Sequence, residues 1–317
     1  MGNIYQNDAN KYTRNDRGTP AGKRPISGSA VARIVIWSIV FFLLVGVFSV
    51  AMLGDFLGSV ILSGGRIRLN GWDFDDDDYV IGSGSVRSTV REISVDWVAG
   101  SVTLEATDGD EIRITEDYKG GRDADRMRWC VDEGELSVKY CKPSLKVSLL
   151  RDEDSVSKNL TIAIPYSMLN GIDEIRVSTV SADQHIRVSA EELKLETVSG
   201  VIKAAGDYRT AEIETVSGKV CVDGTLQRGS FDGVSAHVEL NLREQADRVS
   251  MDTVSGNLRV ILPKNTTGFR VSSDSFMDDV TVRGFALEHR GSAWGDGRMQ
   301  IDLDGVSGKL TIEQGAD

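Results

Sequence analysis

Proline is scarce: five prolines stand against 33 glycines in a chain of 317 residues, so the glycines read as turn punctuation in an ordered fold, not as a disordered linker. Cysteine is scarcer still, and three are too few for a disulfide framework. Cys130 and Cys141 lie in MRWCVDEGELSVKYC, which reads as two strands joined around Glu133-Gly134. A tight turn there sets Cys130 opposite Ser137, about 13 Å along the strand from Cys141 and beyond disulfide reach. All three thiols, Cys221 included, are expected to be free. His185, His237 and His289 fall at different offsets within the repeat described below, which argues against a zinc site, since tetrahedral ligation needs converging donors.

Charge of either sign is missing from Ile34 to Leu53, IVIWSIVFFLLVGVFSVAML. Twenty helical residues reach about 30 Å, the thickness of a bilayer's hydrocarbon core. Lys11, Arg14, Arg17, Lys23, Arg24 and Arg33 precede the run, and the positive-inside rule then keeps the N-terminus cytoplasmic and sends the remainder across. The expected layout is a disordered cytoplasmic tail (1–29), a transmembrane signal anchor (30–54), an acidic extracytoplasmic linker (55–90) and a repeat domain (91–317). A cleaved signal peptide is the alternative, because Ser49-Val50-Ala51 loosely resembles a cleavage site. The net charge of −12 is uneven: residues 1–54 carry six basic against two acidic side chains, so the strongly acidic remainder is no nucleic-acid binder.

What is present is repetition. Glu-Thr-Val-Ser-Gly occurs at 196–200 and again at 214–218. Taking its valine as reference, the anchors are Val98 (WVAG), Val180 (TVSA), Val198, Val216, Val234 (GVSA), Val254 and Val306 (GVSG), with spacings of 18, 18, 18 and 20 from Val180 to Val254. A period near twenty suggests a solenoid or another repeat array. Five and three residues before each anchor the chain is apolar, as in Ile175 and Val177 or Leu193 and Leu195; four and six after it come pairs such as Val220 and Val222. Period-two alternation on both sides of a short break means two strands per repeat, each burying one face. Only the Val180 copy departs, with Gln184 before Ile186.

The fold class is therefore all-β. Ser-Gly makes a poor two-residue hairpin turn, which favours positive φ at both positions, and two copies carry Ser-Ala instead. A corner between strands tolerates alanine, and in a coil the equivalent residues of successive turns stack about 4.8 Å apart, which gives a reason for identical letters. The expectation is a β-solenoid with about two strands per 18–20-residue coil; an antiparallel β-sandwich is the alternative. The strand-like runs EIRITE, MRWCV, ELSVKY and LTIAIP are expected to cap the first end, and the final copy at Val306 to close the other.

ISVDWVAGSVTLEATDGDEIRI (93–114), LTIAIP (160–165), the serial TVSG coils and GDGRMQIDLDGVSGKL (295–310) resemble the bacterial "putative adhesin" β-strand-repeat domain family of unknown function, which includes a Lia-type component encoded near cell-envelope stress regulators. The resemblance covers roughly residues 90–314. It implies a β-helical domain, often tethered to a membrane, and no established activity.

No catalytic, cofactor or metal residue emerges. The Ser181, Ser199, Ser217, Ser235 and Ser255 ladder argues against a nucleophile, which needs one activated copy beside a base. The run Asp73 to Asp78 lacks the spaced ligands of a calcium loop and reads as a solvated linker cluster. Glu196, Glu214, Asp232 and Asp252 form an outward stripe that faces solvent, cations or a basic partner. The leading expectation is a non-enzymatic, single-pass membrane protein whose β domain binds an envelope protein or wall polymer, with self-association a further option. The alternative is an enzyme acting on cell-surface polysaccharide, with a cleft at the 284–298 insertion containing Trp294.

Overall fold

A computed structural model describes residues 76–120, 122–141, 158–273, 278–285 and 293–315. The cytoplasmic tail, the charge-free run and most of the linker expected from sequence lie outside these ranges. Among the described residues no helix is long and apolar enough to cross a membrane.

The described chain is strands and short 3-10 turns. β1 (Val80–Ile81) and β2 (Gly84–Val86) precede a two-strand coil, β3 (Glu92–Trp97) and β4 (Gly100–Thr107). Then come β5 (Ile112–Asp117), β6 (Arg128–Asp132), β7 (Glu135–Lys139), β8 (Lys158–Pro165), β9 (Glu174–Thr179), β10 (Asp183–Ile186) and the long β11 (Ala190–Gly233). β12 (His237–Leu242), β13 (Arg248–Leu262), β14 (Gly268–Ser273), β15 (Asp278–Arg283), β16 (Ala293–Gly295) and β17 (Met299–Gln314) follow, and all belong to one sheet.

Through the repeats every pairing between successive coils is parallel and in register. Ile175 and Val177 lie opposite Leu193 and Leu195, and Val220 and Val222 opposite Val238 and Leu240. At the corners the same stacking shows in the Ser199 N–H donating to Val180 O and the Ser235 N–H donating to Val216 O, both 2.9 Å. Alternate side chains point inward, so each rung buries two aliphatic residues per strand, and Val, Ile and Leu suit that pleated, half-buried surface. The architecture is solenoid-like, as the spacing predicts; antiparallel pairing, the mark of the alternative sandwich, is confined to the two ends.

Two details of the repeat differ from the sequence reading. Apart from the buried Val98, the anchor valine stands at the corner between the two strands and outside the core, with Val198 and Val306 43% and 42% exposed. The threonine before it turns inward instead, and Thr179, Thr197, Thr215 and Thr253 are all buried. Gln184 Nε2 donates to Thr179 Oγ1 at 2.9 Å, Thr179 Oγ1 donates to Thr197 Oγ1 at 2.9 Å, and Thr197 Oγ1 donates to Ser199 O at 2.8 Å. The departure at Gln184 is thus no slip of register. Gln184 sits between Val102 and Ile202 in an aliphatic column, fully buried, and starts this hydrogen-bond relay.

At both ends the order of coils in space departs from the order in sequence. β17 pairs in parallel with β13 on one side and with β14 and β15 on the other. The last coil is therefore interior, and the coil before it in sequence is the outer one, closed by β16 running antiparallel to β14. This corrects the expectation that the Val306 copy closes the array. The first end mirrors it: the β3–β4 coil lies between β9–β10 and an outer coil of β7 and β8, although β7 and β8 come later in sequence than β3 and β4. Gly100 turns the β3–β4 corner at φ 105°, where an added Cβ would stand 2.0 Å from Lys158 O.

The first end is capped by β5 and β6 and, unexpectedly, by β1 and β2 from the segment read as linker. The Glu133-Gly134 turn has positive φ at both residues, 46° and 91°, and Cys130 does face Ser137. Cys130, Cys141 and Cys221 are free thiols. Under this cap Lys158 is 1% exposed: its ammonium donates to Glu116 Oε1 at 2.9 Å, to Asp125 O at 2.7 Å and to Tyr140 O. The Tyr140, Trp97 and Tyr118 rings surround it at 3.8, 5.1 and 5.4 Å, supplying cation–π attraction in place of water.

Candidate interaction surface

The corner carrying the anchor valines separates two flat outward faces with different chemistry. Val98 is buried beneath the outer coil, Val180, Val216, Val234 and Val254 are half-buried, and Val198 and Val306 stand exposed, so the anchors form a low apolar ridge along the solenoid axis. Next to it run the serines, exposed at 181, 199, 217, 235, 255 and 307. Ladder pairing makes this inevitable: an 18-residue coil returns each offset to the same face, one rung higher.

On one side of the ridge lies a carboxylate column. Asp232 is opposite Asp252, and Asp252 opposite Asp304, while Glu214 and Glu196 continue the column at 18-residue steps. The stripe read from sequence is therefore a single stack, one rung longer. Glu214 has its carboxyl pushed above the ordinary range, first by desolvation and then by repulsion from Glu196 and Glu212. Like charges at rung spacing repel, and the column is a solvated edge.

On the other side, three residues after the anchor, successive rungs present Lys219, His237, Asn257 and Lys309, all exposed and all in register. With Ser235, Ser255, Gly256, Ser307 and Gly308 three of them line a shallow depression of roughly 180 Å³. Gly256 is needed there, since a Cβ would come 2.6 Å from Ala236 O. Sequence reading missed this column. Its signal was available, as basic or amide residues at one fixed offset in four copies.

Among the described residues none of the exposed serines is hydrogen-bonded to a histidine; Ser181 Oγ donates to Val98 O at 3.3 Å. His185 and His237 project from the same flat face but, as their different offsets imply, from different columns separated by intervening coils. Burial, then the Lys203 charge, lowers the His185 pKa; His289 lies outside the described residues. No three His, Cys, Asp or Glu side chains converge on a common point among the described residues. The cleft considered for a polysaccharide enzyme is different from expectation where it is described. Trp294 packs between Phe269 and Phe285, with ring centroids 5.8 and 4.7 Å away, and closes the core at the second end. Asp296 accepts from Thr267 Oγ1 at 2.8 Å and from the Arg298 N–H at 3.1 Å, contacts that with the Arg298 charge lower its pKa.

Solved structures similar to this chain include a "putative adhesin" from Bacteroides fragilis, 14% identical, with 74% of this chain and 97% of that one covered at a TM-score of 0.41. A "putative cell adhesion protein" from Clostridium sporogenes is 12% identical over 74% of this chain and all of its own, at 0.36. A "putative lipid binding protein" from Parabacteroides distasonis is 13% identical over 74% and 97%, at 0.29. No curated protein matches the chain. The family model for Toastrack DUF4097 matches residues 90–313, the whole span from the first coil to the last, and the chain belongs to the Toastrack DUF4097 family.

Proposed function

We propose that this protein is a single-pass membrane protein, N-terminus cytoplasmic, whose solenoid-like domain stands outside the membrane as a non-enzymatic, adhesin-like binding module for an envelope protein or wall polymer. The charge-free run after a basic tail supports the topology, and the resemblance adds an association with envelope stress. One observation carries the binding role: the side chains along the corner are sorted into columns over successive rungs, unbroken ones of acid, valine and serine and a fourth of lysine, histidine and asparagine. Core packing explains inward identity and demands nothing of outward residues, so sorted outward columns suit an extended partner lying along the axis. Crosslinked membranes provide the test. The intact protein is expected to recover partners that a version lacking residues 90–317 does not; if the span alone recovers them, the binding-module reading fails.

A further inference from the structure

The basic column stands out because most cations elsewhere on the coils are paired with carboxylates. Arg176 and Lys194 pair with Glu174, Arg209 with Glu191, Arg248 with Asp302, and Arg259 with Glu239 and Glu313. In a chain with 48 acidic and 36 basic residues that outcome is the default. Lys203, Lys219 and Lys309 nevertheless have no salt-bridge partner among the described residues, and all three project from the same flat face as His237. Of the acids on this face, Glu239 is engaged with Arg259, Asp223 with Asn241 and Asp183 with the Val201 N–H, while Asp279 stands opposite Lys309 on the outer strand β15 and bounds the column at that end. The carboxylate column points from the other face, beyond the valine ridge. Arg228 and Arg270, also outside salt bridges, belong to that other face and do not adjoin the depression.

Resting on the binding-module reading, we infer that the Lys219–His237–Asn257–Lys309 column and the depression beside it form the docking surface for a linear polymer carrying phosphodiester anions, laid along the solenoid axis. Lys219 and Lys309 are three rungs apart, roughly 14 Å at the usual strand separation, so one chain segment spans both. Lysine is a point charge on a flexible stem and tolerates the irregular placement of anions on such a chain, whereas an arginine fork demands a fixed bidentate geometry with carboxylate or phosphate. The serine hydroxyls and the Asn257 amide donate to phosphate oxygens between the charges. No aromatic side chain lines the depression, so the surface reads the polymer's charge and offers no platform for sugar rings.

The test uses the full-length protein in nanodiscs of uncharged lipid. Three probes are offered: a synthetic glycerol–phosphodiester polymer, a polygalacturonate of similar length, and vesicles containing phosphatidylglycerol. The phosphodiester polymer is expected to bind best, more weakly as salt rises. Lys219→Glu with Lys309→Glu should weaken it by roughly tenfold or more, the combined effect of two exposed charge contacts reversed. Glu196→Gln with Glu214→Gln on the other face should not weaken it. These side chains are exposed, so circular dichroism is expected to match the unaltered protein in each case. Equal binding of polygalacturonate or preferential binding of vesicles overturns the polymer assignment, and so does binding indifferent to the lysine pair. If none of the probes binds while crosslinking still recovers partners through residues 90–317, this inference fails and the binding-module reading stands.

Discussion

The middle of the solenoid and its two ends use the same strands under different rules. From β9 to β13 the next coil in sequence is the next rung in space, and each rung differs from its neighbour by 18 or 20 residues. At the ends the pairing distance jumps: Ile93 lies opposite Ile175, and Leu258 opposite Leu310. A repeat can fix local geometry without fixing order. Any coil with two aliphatic columns fits on any other, so order is decided by which edge can be closed, and the outermost coils carry what closes them: antiparallel β5, β6 and β16, the Lys158 cage, and the Phe269–Phe285–Trp294 cluster. Open edges invite pairing with other chains, and caps remove them.

The sharpest way to break the comparison is to delete one coil from each region. Joining Thr197 to Val216 removes 18 residues and preserves every inward column, because Leu195 and Val222 keep their offsets. That chain is expected to fold with one rung fewer and a modest loss of stability, as nearest-neighbour coupling in repeat proteins implies. Removing residues 299–317 takes out the interior coil at the second end and exposes the apolar edges of β13, β14 and β15 together. Loss of soluble folded protein is the expected outcome. Proteolysis and circular dichroism read both, and equal tolerance of the two deletions would show that coil order at the ends is incidental.

The second comparison is between two lysines. Lys158, at the capped end, is desolvated with Glu116, whose other oxygen has no hydrogen-bond partner. Burial lowers the Lys158 pKa and the Glu116 contacts raise it back part of the way. Lys158→Ala leaves the buried Glu116 carboxylate with only the Met127 N–H at 2.8 Å and Arg126 at 3.9 Å, and should cost about 3 kcal/mol. Lys158→Met with Glu116→Gln should recover most of it. Lys194, bridging Glu174 and Glu192 on a solvated face of the middle, should cost about 0–1 kcal/mol as Lys194→Ala. Denaturant midpoints decide; similar losses at both lysines would mean that the cage stabilises nothing beyond an ordinary surface pair.

How legible all this was in the sequence follows the same division. The coil period, the aliphatic columns and the free cysteines could be read because they depend on parity and spacing, which the chain states directly. The carboxylate column was visible for the same reason. The order of coils at the ends was not, since β14 and β17 both carry acceptable inward pairs, Phe269 with Val271 and Ile301 with Leu303, and spacing alone does not say which is outer. The Lys158 cage was hidden because it joins Trp97, Glu116, Tyr118 and Tyr140 from separate strands. The orientation at the corner was not read because the inward positions were taken from aliphatic alternation alone, while the corner geometry turns Val198 out and Thr197 in.

That orientation leads to the smallest effect and a sensitive test of the middle region. Thr197 Oγ1 accepts from Thr179 and donates to Ser199 O, whereas Thr215, its copy one rung on, is equally buried and its hydroxyl has no partner. The isosteric change to valine should therefore act oppositely at the two copies. Thr197→Val removes two hydrogen bonds and should cost about 1 kcal/mol, while Thr215→Val relieves an unsatisfied buried hydroxyl and should be neutral or stabilising. Gly218 and Gly233, which crowd Thr215 closely enough that an added Cβ would lie within 2.7 Å of its atoms, are the same in both variants, so packing is held constant. Urea unfolding of the two proteins separates the cases. Equal destabilisation would mean that the threonine ladder is held by shape, with the hydroxyl relay from Gln184 contributing nothing; opposite signs would mean that identical letters in a repeat do different work according to the rung they occupy.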